Sequence, residues 1–169
     1  LASLICERLG IEHCDYRTYI YNQRLVSLCN NFVTENTEII PAYDIFVSEK
    51  KPNQINDYEH YVSILEKHGV PNARSSVNDM FIIDYLMMDT DRHMKNFGVI
   101  RDVNSLNWLK TVPIFDTGQS MQSGVLDKDI NFDDGYGKFF FNSSKKFSSY
   151  FKTLKLDKEY DLSCLKDVP

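Results

Sequence analysis

At 169 residues, with 43% hydrophobic and 13% aromatic side chains, the chain can bury the core of one domain, or form part of a larger enzyme, and is neither disordered nor fibrous. Its formal net charge of -5 and pI of 5.3 exclude a general basic surface for nucleic acid, so direct nucleic-acid binding is not expected. No basic segment followed by an apolar one opens the chain, and no run reaches the roughly 18 apolar residues of a membrane span; a soluble, cytoplasmic protein is the expectation.

The opening LASLICERLG places Leu1, Leu4, Ile5 and Leu9 at helical spacing, with Gly10 as a stop. It starts inside an element and without Met, as expected of a trimmed domain or fragment. In YRTYIYNQRLVSLC, Tyr- and Val-rich runs flank Asn22-Gln23 and predict two strands joined by a short turn. The polar stretch that follows holds Pro41, Pro52 and SEKKPNQIND, and residues 35–56 are expected to be a linker. The four cysteines (Cys6, Cys14, Cys29, Cys164) form no CxxC pair, a spacing that suits reduced thiols better than structural zinc.

Asp57 is placed to cap a helix through DYEHYVSILEKH, ended by Gly69 and Pro71. A second helix, capped near Ser75 or Ser76, carries Val77, Met80, Phe81 and Tyr85 at helical spacing. Ile82, Ile83, Leu86, Met87 and Met88 make it apolar nearly all round, so it belongs in a core. It leads into DTDRHMKNFGVI, where Asp91, Arg92, His93 and Asn96 lie between apolar runs. Polar groups in such a place must satisfy one another or do chemistry, because burial without partners forfeits their hydration. FGVIRD and WLKTVPIF predict two short strands around a polar turn at 104–107, and Asp116 follows in PIFDTGQS. The tail turns from acidic to aromatic and basic, with helix expected towards its end and Phe139 to Phe141 in the core.

A buried helix thus delivers Asp91, a loop carries Asn96, and the exit of a hairpin delivers Asp116, the order found in the catalytic half of a kinase. Phosphoryl transfer needs a carboxylate to accept or orient the attacking hydroxyl and oxygen ligands to hold magnesium against the phosphates. Asp91 fits the first role, and Asn96 and Asp116 the second. Read singly, Asp91 is a partner for Arg92 or Lys95, and Asn96 and Asp116 are turn residues. Arg92 is better suited to bracing the loop through a carboxylate than to direct catalysis, and Asp84 and Asp89 to loop hydrogen bonds. Read singly, His93 is a structural histidine bonded to backbone.

DRHMKNFGVI followed by PIFDTGQSM resembles the HipA-like kinase family, with its DRHxxNFG catalytic loop and later magnesium-binding Asp. The DRHxxN core is also similar to that of phosphatidylinositol 3- and 4-kinases. The resemblance is strongest from Ser75 to Met121, and LASLICERLGI through LVSLCNNFV is similar to the helix, strands and hinge that precede the C-terminal lobe. It implies an α+β, mainly helical fold: a protein-kinase-like C-terminal lobe over 57–169, the 35–56 linker, and a remnant of the ATP-binding lobe over 1–34. It further implies ATP and magnesium as cofactors, a protein serine or threonine acceptor, and the setting of a bacterial toxin with an antitoxin-like partner. The adenine would sit at the hinge near Leu28, Cys29, Asn30 and Asn31, with His93 beside the phosphates. The chain departs from the family in having no Gly-rich phosphate loop and no ATP-binding strand lysine, so a missing N-terminal lobe segment is a required partner. Competing expectations are a phosphoinositide-type lipid kinase and an inactive nucleotide-binding or partner-binding domain.

Overall fold

In the computed structural model, described for residues 1–168 apart from 132, 134, 139 and 141–143, the organising element is a helix over Ala73–Met87 (here α4 in chain order). Its apolar side chains recur on most of its circumference, and Phe81, Ile83 and Met87 are all buried. It packs against α3 (Asp57–Lys67), which contributes Tyr58, Tyr61, Val62, Ile64 and Leu65 to the same core. Asn56, not Asp57, caps α3, its side chain accepting from the Glu59 N–H at 2.8 Å; Asp57 is the first helical residue, where a carboxylate favours the helix dipole. α4 starts before Ser75 and Ser76, from Asn72 in the left-handed region with no side-chain cap.

The N-terminal helix α1 (Ala2–Arg8) buries Ile5 and Cys6 and contacts α4, with Gly10 at φ +66° releasing the chain. Cys14 is buried as well, and burial pushes the Cys6 and Cys14 thiols up to about 12 and about 11. The predicted hairpin forms as β1 (Arg17–Tyr21) and β2 (Arg24–Leu28), antiparallel in register Ile20 to Leu25, across a turn in which Asn22 and Gln23 have positive φ. Tyr19, Ile20, Tyr21, Leu25 and Leu28 are all exposed on it.

The expected linker is instead structured. Thr37–Pro41 forms β3, and Ala42–Ser48 forms the helix α2, with Ala42 and Ile45 in the core. β3 pairs antiparallel with β4 (Gly98–Asp102), which pairs with β5 (Trp108–Thr111), so the predicted hairpin is two strands of a three-stranded sheet. Pro41 does not mark a linker because proline is tolerated where it sits here, at the end of an edge strand and on the threshold of a helix.

Gly98 is the tightest point of this sheet: a Cβ there would lie 2.1 Å from the Ile40 carbonyl oxygen and 3.1 Å from the Ala42 nitrogen. Gly98→Ala is expected to force the two strands apart and to destabilise the fold by about 1–3 kcal/mol, the usual range for overpacking. Urea unfolding measures it, and a wild-type midpoint would mean that β3 does not approach β4 this closely.

Beyond the site the chain returns as β6 (Tyr136–Gly137) and β7 (Lys145–Lys146), then α5 (Phe147–Phe151) and a 3-10 turn at Leu162–Leu165. Phe140 is buried against Tyr61, Phe81 and Phe97, as expected of the aromatic run, whereas Phe139 and Phe141 lie outside the described residues. The helix expected in the tail is short because its later part straps α4 from outside: the buried Asn78 amide donates to the Lys155 carbonyl and to Asp157, and Tyr160 Oη donates to Asp79 at 2.7 Å. No described helix is long and apolar enough to cross a membrane.

Candidate active site

α4 ends with Met88 in the left-handed region and the Asp89 N–H bonded to the Asp84 carbonyl, so the chain turns sharply into the loop 89–97. The loop is closed by its own polar groups. Asp89 Oδ1 accepts from the Asp91 N–H at 3.0 Å, the Asp91 carbonyl accepts from the His93 N–H at 2.7 Å, and Asn96 Nδ2 donates to that same carbonyl at 3.2 Å. The five-residue step from acid to amide therefore has a structural cause. Anchoring the Asn96 nitrogen to Asp91 backbone fixes which way its oxygen points, while the Asp91 carboxylate stays partly exposed.

Arg92 is completely buried and holds the site together. Its Nε and Nη2 fork onto Asp84 at 2.9–3.2 Å, and its Nη1 donates to the carbonyls of Asn96 at 3.0 Å and of Phe115 at 2.6 Å. One planar guanidinium thus fixes the residue that carries the amide and the residue before Asp116, a geometry that an ammonium cannot reproduce. Asp89 Oδ2 lies 3.2 Å from Arg92 Nη2 but has no hydrogen-bond donor among the described residues. The bracing role expected of Arg92, and the loop role of Asp84 and Asp89, are what the structure contains.

The charge does not balance in this interior. Burial pushes the Asp84 carboxyl up to about 7 against the pull of Arg92, with Asp89 adding to the rise. Burial also raises Asp89, again opposed by Arg92, and Asp116 and Asp91 add their repulsion. All four carboxylates thus share one field, with a single buried guanidinium to answer it. At the surface Lys138 Nζ comes within 3.9 Å of Asp91 Oδ1, an exposed pair of little energetic worth that nonetheless sets a positive charge beside the carboxylate.

Asp116 reaches this field from the other side. It is exposed, at φ +53°, with its N–H donating to Tyr16 Oη at 3.4 Å. The Cys14 N–H donates to the Ile114 carbonyl, and the Ile114 N–H to the Glu12 carbonyl, on one flank; the Met121 N–H donates to the Met87 carbonyl on the other. The Phe115 ring packs 5.5 Å from Phe32. A cavity of about 560 Å³ opens beside Asp116, lined also by Tyr16, Thr18, Ser27 and Ser120. Ser120 Oγ, buried there, has no partner among the described residues.

Asp91 and Asn96 are bonded to each other, and Asp116 is tied to them through Arg92. The predicted hinge residues are placed differently. Leu28 ends β2 exposed, Asn30 and Asn31 are exposed with Asn31 Oδ1 accepting from the Val33 N–H, and Cys29 is half-buried. His93 Nδ1 accepts from the Lys95 N–H, and the ring lines a groove with α2 rather than the cavity beside Asp116. Phe32 lies at the end of the expected hinge, whereas Tyr16 carries no local signal because its hydroxyl meets the Asp116 N–H across 100 residues.

Asn96 Oδ1 and the Asp116 carboxylate are hard oxygen donors in a field of excess negative charge, a donor set that suits a small divalent cation. Among the described residues no group of three His, Cys, Asp or Glu side chains is placed to hold a metal. A cation on Asn96 and Asp116 would complete its shell with phosphate and water oxygens, as magnesium characteristically does.

No protein-family model matches the chain. Over 127 residues it is 27% identical to the serine/threonine-protein kinase CtkA of Helicobacter pylori strain J99, a match covering 72% of this chain and 39% of that protein. The crystal structure of the Helicobacter pylori proinflammatory kinase CtkA superposes with a TM-score of 0.64 at 19% identity, covering 97% of this chain and 66% of that one. The chain therefore spans about two fifths of the curated relative's length and less than two thirds of the solved one. It is a distant homologue of a serine/threonine kinase and has the kinase fold along nearly all its length.

Proposed function

We propose that this chain is the C-terminal lobe, with part of the ATP-binding lobe, of a HipA-like serine/threonine kinase that transfers the ATP γ-phosphate to a protein hydroxyl with magnesium. The observation that carries the reading is the Arg92 guanidinium, which bonds the carbonyls of Asn96 and Phe115 at once and so ties the two halves of the catalytic constellation together. Asp91 takes or orients the acceptor hydroxyl proton, and Asn96 and Asp116 are the protein's ligands to magnesium. When bound, the ion neutralises charge on the phosphates. The protein's own contribution is positioning: the loop holds Asp91 by its backbone and leaves its carboxylate accessible.

The β1–β2 hairpin supports a shared ATP site, because it is a two-stranded ribbon with apolar side chains exposed on both faces, Ile20 and Leu25 on one and Tyr19, Tyr21 and Leu28 on the other, as expected where more of an ATP-binding lobe packs around it. In this reading residues 1–34 belong to that lobe, 57–169 to the catalytic lobe, and β3 with α2 joins them. The Gly-rich loop and the ATP lysine come from a segment outside this sequence. A place as the toxin of a bacterial toxin–antitoxin pair, acting in the cytoplasm against a protein substrate, extends the same resemblance.

The test is calorimetric titration of the complete protein with a non-hydrolysable ATP analogue, with and without magnesium, beside Asp116→Asn. Magnesium-dependent binding that the substitution weakens about tenfold or more is the expected result. Binding indifferent to magnesium and to Asp116 would remove the metal assignment, and no binding at all would overturn the kinase reading.

A further inference from the structure

Next to the candidate site, and not used by it, is an open groove of about 770 Å³ between α2 and the loop. Tyr43, Phe46 and Val47 of α2 form one wall, and His93, Met94 and Lys95 form the other. Phe140, itself buried against Tyr61 and Phe97, makes the floor. Tyr43 and Val47, one helical turn apart, are each more than half exposed, so the apolar wall faces solvent. No carboxylate is among the described lining residues, whereas the exposed Lys95 is one of them.

The groove is mechanically part of the loop. The Tyr43 N–H donates to the Met94 carbonyl at 3.0 Å and the Ala42 N–H to the Phe97 carbonyl at 2.9 Å, so the first turn of α2 is pinned to the chain that carries Asp91 and Asn96. The second wall is the three residues lying between Arg92 and Asn96. The groove wall begins two residues after Asp91 in the same loop, so residues flanking a hydroxyl presented to Asp91 are within reach of it. Apolar walls with a cationic rim select a bulky apolar side chain beside a carboxylate.

We propose that the groove is the acceptor-recognition site: it takes a large apolar side chain of the protein substrate within a few residues of the phosphorylated serine or threonine, and Lys95 pairs with an acidic residue next to it. The proposal rests on the kinase reading for what is recognised, but its test reads binding without phosphate transfer. Serine-containing peptides, varied at each position around the serine, are arrayed and probed with the complete protein, its Val47→Asp and Lys95→Glu variants, and wild-type protein on vesicles of phosphatidylcholine with phosphatidylinositol 4-phosphate.

Expected is selection for Phe, Leu or Met near the serine, reduced at least about tenfold in Val47→Asp, and a preference for acidic neighbours that Lys95→Glu reverses. Both side chains are surface groups, and unchanged circular dichroism and melting confirm that the variants are folded; should Val47→Asp fail that control, Lys95→Glu decides alone. Peptide binding without apolar selection, selection unchanged in the variants, binding to the phosphoinositide vesicles alone, or no peptide binding would each overturn the proposal. Nucleotide binding in the Asp116 titration is read independently, so a failed groove and a failed kinase reading are distinguishable.

Discussion

Arg92→Met is expected to destabilise the protein by about 3–5 kcal/mol, the cost of stripping the counter-charge from a buried ion pair. The guanidinium answers the fully buried Asp84 and Asp89 and bonds two backbone carbonyls. Methionine fills much of the same volume and supplies none of this. Such a loss is a large share of a typical domain's stability of roughly 5–15 kcal/mol, so the variant should unfold at a much lower urea concentration than the wild type. Arg92→Lys keeps a charge but cannot fork onto Asp84 while reaching both carbonyls, and should fall between the two.

The pH dependence has a definite sign. The Asp84 carboxyl rises from its ordinary 3.8 to about 7 in the folded protein, so the folded state holds an extra proton between those values. That contribution to stability is present at low pH and is lost as pH rises towards 7. Without Arg92 both carboxyls rise further, and the variant should lose stability more steeply with rising pH than the wild type. Urea unfolding at pH 5 and pH 8 measures this. Adding Asp84→Leu to Arg92→Met should recover part of the loss, because replacing both members of a buried pair by apolar groups costs far less than removing one. A single Arg92→Met variant within about 0.5 kcal/mol of wild type, the range of ordinary surface substitutions, would show that the guanidinium is not buried as described.

Asp91→Asn in the complete protein is expected to slow phosphate transfer by at least about a hundredfold, the lower range for a lost general base, with nucleotide affinity little changed. The structure makes this substitution clean. It is the Asp91 backbone that closes the loop, through its N–H to Asp89 and its carbonyl to Asn96 and His93, whereas its partly exposed carboxylate lies 3.9 Å from Lys138 Nζ. Asparagine preserves the shape and every backbone bond, so a fall in rate reports on the carboxylate itself. Single-turnover transfer to a serine peptide separates the chemical step from product release. Undiminished turnover would move the base elsewhere, and weakened nucleotide binding with normal transfer would place Asp91 at the metal instead.

Two features of the site were legible before the fold was known. The step from Asp91 to Asn96 is local, and residues five apart in a tight loop meet whatever surrounds them, here through the 3.2 Å bond from the Asn96 amide. The bracing role of Arg92 was likewise readable from a cation between apolar runs, but its partners were not. Asp84 lies eight residues away and the Phe115 carbonyl 23, separations that no periodicity encodes. The same holds for Phe32, which packs on Phe115, and for His93, which lines the groove with α2 where that helix is pinned to the loop.

By itself the sequence determined the helices with a clear apolar repeat, the β1–β2 turn at Asn22-Gln23 and the polar loop that follows α4, because each depends on neighbours within a few residues. Tertiary structure alone decided that 37–48 is a strand and a helix rather than a linker, and that the tail straps α4 instead of extending as a helix. It alone tied the segment before Asp116 to the 89–97 loop, through Arg92. β3 is a strand only because β4 satisfies its backbone, and the segments that carry Asn96 and Asp116 are held together by one buried guanidinium that donates to a carbonyl of each.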